Sequence, residues 1–131
     1  MSCPSAIYTV LTNAAVDEGG SAGFGTVIRR YGPSIRMDGQ GLNMIGGGYY
    51  AFDTSLSFTP TATGPVTIQF YQDGAAIPGA LATAQGTASE PLNLSVPFVI
   101  RNVGCLVSST ITYAISAAGV INNLPVTAEK K

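Results

Sequence analysis

The side chains able to do chemistry are few: seven carboxylates, six basic groups, two cysteines and no histidine in 131 residues. Without imidazole the commonest general base is gone, and with it any Ser-His-Asp or Cys-His arrangement. A glycosidase pair would have to come from Asp17, Glu18, Asp38, Asp53, Asp73, Glu90 and Glu129. Asp17-Glu18, Asp38 and Asp73 fall in turn-like sequence, where a short carboxylate serves its own backbone. Asp53 stands apart, mid-strand among small residues, and reads as a solvent-facing or interface acid paired with an arginine. Cys3 and Cys105 read as two reduced thiols of an unexported chain, with a disulfide as the alternative if the first strand pairs near Cys105 once the product leaves the cytoplasm, and two sulfurs without histidine do not make a typical zinc site. No glycine-rich stretch carries the Lys-Ser/Thr of a phosphate loop or opens a helix. The Asn93-Leu94-Ser95 sequon lies within a strand pattern and reads as inert. The chain is expected not to be an enzyme and to need no cofactor or metal.

What remains are groups suited to contact. Arg29-Arg30-Tyr31 with Arg36 is the only basic cluster, and with a net charge of −1 it reads as an inter-subunit or loop contact rather than a nucleic-acid site. Tyr31, Tyr49 and Tyr71 are placed either to stack on a sugar or to fill a core or interface. Charged residues make up 10% of the chain, against roughly 25% in an ordinary soluble domain. A surface so poor in charge is expected to be buried largely against copies of itself.

The elements that must position these groups have a period of two. Tyr50, Phe52, Thr54, Leu56 and Phe58 alternate with Ala51, Asp53, Ser55 and Ser57, the pattern of a strand with one face in a core. Val66-Ile68-Phe70, Leu92-Leu94-Val96-Phe98-Ile100 and Ile111-Tyr113-Ile115 repeat it, with Pro97 marking an edge or a bulge. Weaker runs fall at Ile7–Leu11, Thr26–Arg30, Leu42–Ile45, Leu81–Thr83 and Val120–Leu124. Pro60 to Pro65, Asp38-Gly39, Gly46-Gly47-Gly48, Asp73-Gly74 with Pro78-Gly79, and Asn122-Asn123 supply the turns and bends. Asp17 to Gly25 reads as a flexible loop. No stretch has helical spacing, so residues 1–131 predict one all-β domain, a jelly-roll β-sandwich of about eight to ten short antiparallel strands. The polar residues between Asn102 and Ala128 exclude a membrane span there. The N-terminus has no signal-peptide pattern, which predicts synthesis without export.

Three segments carry a resemblance. Gly47 to Phe58 (GGYYAFDTSLSF) resembles the aromatic strand of trimeric jelly rolls of the tumour-necrosis-factor and C1q type. Val66 to Ala80 (VTIQFYQDGAAIPGA) resembles the strand pair that follows it in those folds. From Cys3 through Phe24–Arg30 to Asn122-Asn123-Leu124, the chain is similar to small phage and prophage structural proteins. The resemblance implies a homotrimer on a virion, made in the bacterial host cytoplasm and bound to the major capsid protein or another virion protein as a decoration or head-fibre subunit. The candidate interface residues are Tyr49, Asp53, Tyr71, Tyr113, Arg29 and Arg30, with no nucleic acid and no membrane as partner. The alternative is a receptor- or carbohydrate-binding module of a phage tail or bacterial surface. The chain lacks a collagen-like or coiled-coil stalk, which favours a compact subunit over a fibre tip.

Overall fold

A computed structural model describes residues 5–39, 41–103 and 108–130. Cys3 and Cys105 lie outside the described residues, and so does the expectation about their thiols. The strands are β1 (Ala6–Val16), β2 (Thr26–Tyr31), β3 (Ile35–Asp38), β4 (Gly41–Ile45), β5 (Gly48–Pro60), β6 (Gly64–Gln72), β7 (Ala75–Gly86), β8 (Leu92–Asn102), β9 (Ser108–Ile115) and β10 (Gly119–Lys130). They form two five-stranded antiparallel sheets, a front sheet ordered β2-β1-β10-β5-β8 and a back sheet ordered β3-β4-β9-β6-β7. This is the predicted jelly-roll sandwich.

Period-two alternation does the folding. In β5 the side chains of Tyr50, Phe52, Thr54, Leu56 and Phe58 are buried while Asp53 and Ser55 stay exposed. In β8 Leu94, Val96, Phe98, Ile100 and Asn102 turn inward, and Asn93, Ser95, Pro97, Val99 and Arg101 turn out. β6 and β9 answer from the back sheet with Val66, Ile68, Phe70, Ile111, Tyr113 and Ile115. Rings chain the two layers together. Phe52 stacks on Phe98 at 4.8 Å, Phe98 meets Phe70 at 5.0 Å, Phe70 meets Tyr113 at 5.9 Å, and Tyr113 meets Phe24 edge-on at 5.2 Å. Each such pair adds about 0.5–1.5 kcal/mol beyond the area it buries.

At one end the sandwich is closed by a buried polar group. The Asn102 amide donates to the carbonyls of Met44 and Gly46, both at 3.3 Å. Its oxygen accepts from the Ser109 hydroxyl, which in turn accepts from Gln72 at 3.0 Å. Strands β4, β6, β8 and β9 are thereby tied together where aliphatic packing ends. Next to it, the Tyr50 hydroxyl bonds the carbonyls of Ile45 and Gly46 at 3.0 and 2.9 Å and fastens the β4–β5 turn.

Three sequence expectations about the fold need correction. The strands are not uniformly short, since β1, β5, β7, β8 and β10 run 11 to 13 residues. Pro78-Gly79 does not end a strand. β7 continues through it, with Gly79 at φ 78 and a register shift between Gln69 and Tyr71 on the neighbouring strand. Proline is tolerated because β7 is an edge strand and the irregularity is a bulge. The Gln69 amide bonds the carbonyls of Ile77 at 3.1 Å and Ala80 at 3.3 Å, which the interrupted ladder would leave exposed.

The third correction concerns Asp17 to Gly25. Gly19 donates to the Ile115 carbonyl at 2.8 Å and Ile115 donates back to Gly20 at 3.0 Å. Phe24 is buried against Tyr113, and the Tyr113 hydroxyl donates to the Gly23 carbonyl at 2.6 Å. The segment is pinned, and at its end Gly25 lies against Val10 and Leu11 of β1, where a Cβ would overlap the backbone.

Burial pushes the Tyr113 phenol up to about 12, with the Ala22 N–H acting weakly in the opposite direction. A folded pKa above the unfolded value near 10 means the neutral phenol favours the fold. Its contribution is complete below pH 10 and is lost as pH rises toward 12, a change of about 2–3 kcal/mol. Urea unfolding at pH 8, 10 and 11.5 should show that decline, and Tyr113→Phe should flatten it. An equally steep decline in the Phe variant would assign the effect elsewhere.

Candidate oligomerisation face

The outward face of the front sheet is where exposed side chains of the right type collect. Strand register lays them out in rows. One row runs Arg29, Tyr8, Thr127, Asp53, Pro97 from β2 to β8, and the next runs Tyr31, Ala6, Glu129, Ala51, Val99. Toward the next row lies the cross-strand pair Tyr49 and Arg101. The Arg101 guanidinium sits 5.5 Å from the Tyr49 ring centroid, a cation–π contact that holds both side chains on the surface. Beyond the Asp53 row the face is small and polar, with Ser55 opposite Ser95 and Ser57 opposite Asn93.

The charges on this face are Arg29, Asp53, Arg101 and Glu129. Asp53 is exposed, with Thr127 and Pro97 as its cross-strand neighbours rather than a base. Arg29 stands in the same row three strands away, about 14 Å by strand spacing. At that distance through water, attraction within one chain is weak. Apolar side chains stand among them: Tyr31, Tyr49 and Val99 are each more than half exposed. Among the described residues, no group of three His, Cys, Asp or Glu side chains is gathered as metal ligands.

The structure brings Tyr49, Asp53 and Arg29 onto this face and places the other candidates elsewhere. Arg30 lies on β2 opposite Ile7, and its Nε donates to the Ile35 carbonyl at 2.8 Å, tying the edge strand to β3. Tyr71 belongs to the back sheet, where with Thr67, Gln69, Ala76 and Ala114 it lines an open trough of about 370 Å3. Tyr113 is 3% exposed. Its ring is consumed by the core and its hydroxyl by the Asp17–Gly25 segment, so it is a folding residue and not a surface contact. Tyr8 and Val99 were missing from the expected set. The signal for Val99 is an aliphatic residue in the outward phase of β8, between Pro97 and Arg101.

No family model matches the chain, and no curated protein matches it in sequence. Solved structures do match in shape. Murine APRIL at pH 5.0 superposes with a TM-score of 0.76 at 10% identity, covering 98% of this chain and all of that one. The globular domain of zebrafish complement 1qA gives 0.64 at 11% identity, over 96% of this chain and 95% of that one. The fold is a TNF/C1q-type jelly roll. The same jelly roll matches PRD1 vertex protein P5, with a TM-score of 0.61 at 12% identity over 96% of each chain.

Proposed function

We propose that this chain is a non-enzymatic structural subunit of a phage virion, a homotrimer that attaches to the outside of the capsid. The observation that carries the reading is the outward face of the front sheet, where exposed Tyr31, Tyr49 and Val99 share one surface with small polar residues and with charges of both signs, Arg29 and Arg101 against Asp53 and Glu129. Such a face suits burial against another copy, because the aromatic and aliphatic groups supply the apolar centre of a contact and basic and acidic groups are present in equal number to meet across its rim. The jelly-roll likeness to a phage vertex protein supports the virion setting.

Attachment to the particle follows from symmetry. Three copies present three equal contacts, so the second and third bind at high effective concentration and weak single contacts add up to lasting attachment. A chain of net charge −1 gains little from long-range steering, so binding should change little between low and moderate salt. The test mixes purified protein with particles that lack it, sediments them, and runs dispersed coat protein and host cells in parallel. Co-sedimentation with assembled capsids at both salt concentrations is the expected result. Binding to cells or glycans but not to capsids would overturn the reading and favour receptor binding, with the Tyr71 trough as the first place to look.

A further inference from the structure

The front face carries a recess and a protrusion that match. Near the β2 edge Ala6, Ile7, Tyr8, Arg29, Tyr31 and Thr127 line an almost wholly apolar recess of about 90 Å3. At the opposite edge Val99 is 58% exposed on β8. The two features share a row, because Tyr31 pairs with Ala6, Ala6 with Glu129, Glu129 with Ala51 and Ala51 with Val99. They are therefore separated by four strand spacings, about 19 Å, and cannot meet within one chain.

We infer that Val99 of one copy seats in the Tyr8–Tyr31 recess of the next, and that this contact joins the subunits. The inference rests on the homotrimer reading and adds to it the residues that meet. A recess of that size takes a small branched aliphatic side chain, and the surface it exposes to such a group is almost wholly apolar although Arg29 and Thr127 border it. Leaving both uncovered would expose apolar surface on two edges of a chain otherwise rich in Ser, Thr and Gly. Because protrusion and recess are different patches, copies join head to tail, and three such contacts close a ring.

Side-chain packing is also the contact the two edges permit. β8, the terminal strand of the front sheet, carries Pro97, and β2 at the other end carries Arg29 and Arg30 with a register irregularity opposite Tyr8 and Thr9. Proline, arginine and a bulge discourage strand-to-strand extension of a sheet. The edges are blocked for backbone pairing while the side chains beside them stay available.

Sedimentation velocity across a dilution series tests the contact on the full chain. Val99→Asp should raise the concentration at which the trimer dissociates by a hundredfold or more, while Leu81→Asp, at an exposed position of the back sheet, should leave it unchanged. Circular dichroism should show both variants folded. Val99→Ala and Tyr31→Ala should each weaken assembly about tenfold per contact, and the double variant should be little worse than the stronger single, since both remove one contact. Unchanged assembly of Val99→Asp, or fully additive effects in the alanine pair, would overturn this contact while leaving the trimer standing. A wild-type chain that sediments as a monomer would overturn the trimer itself.

Discussion

Tyr113→Ala is expected to be the most damaging single truncation in the described core, costing about 3–5 kcal/mol of stability. The ring is the junction between Phe70 of the back sheet and Phe24 of the loop that leads into β2, at 5.9 and 5.2 Å. Its hydroxyl donates to the Gly23 carbonyl at 2.6 Å and accepts from the Ala22 N–H at 3.3 Å. Removing the side chain opens a cavity and leaves both backbone groups without partners in the interior. Tyr113→Phe separates the two effects, since it keeps the ring and removes only the hydroxyl, for about 1–3 kcal/mol. Denaturant unfolding of the three proteins gives both numbers. A loss below 1 kcal/mol for the alanine variant would mean that the Tyr113 junction does not hold the Asp17–Gly25 segment to the sheet.

Gly25→Ala should be nearly as severe, at about 2–5 kcal/mol, for a backbone reason. Gly25 has φ +78, a left-handed conformation, and a Cβ there would overlap the Val10 carbonyl and lie 2.7 Å from the Leu11 Cα. Those atoms belong to β1, which is held in the sheet by β10 on its other side and cannot withdraw. Gly39→Ala is the control. Its φ is +60 but nothing lies within 4 Å of the added carbon, so only the conformational strain of about 1–2 kcal/mol remains. Thermal melts should rank the two variants in that order, and equal losses would rule out the close approach to β1 as the cause.

The difference between those glycines shows where sequence reading reaches and where it stops. Alternation in β5, β6, β8 and β9 is legible because a strand with one buried face repeats every second residue, and Pro97 marked an edge because a proline removes a ladder donor. The pinned Asp17–Gly25 segment was not legible. GGSAG has the composition of a free loop, and what holds it is a hydroxyl some 90 positions away in β9. Pro78-Gly79 was misread for a related reason: a bulge and a turn use the same residues, and only the Gln69 amide across the strand tells them apart. On the candidate face, Tyr49 and Asp53 could be found from their phase in β5. The phase of Tyr113 gave a side of its strand without saying whether that side faces core or solvent. The recess between Tyr8 and Tyr31 joins strands far apart in sequence, and no local pattern announces it.

Self-association through the front sheet fixes the mass of the particle, and native mass spectrometry reads that mass. With chains of 13.4 kDa, the expected species is about 40 kDa, three copies, and persists on dilution to low micromolar concentration. A species of one chain mass across the micromolar range would contradict it.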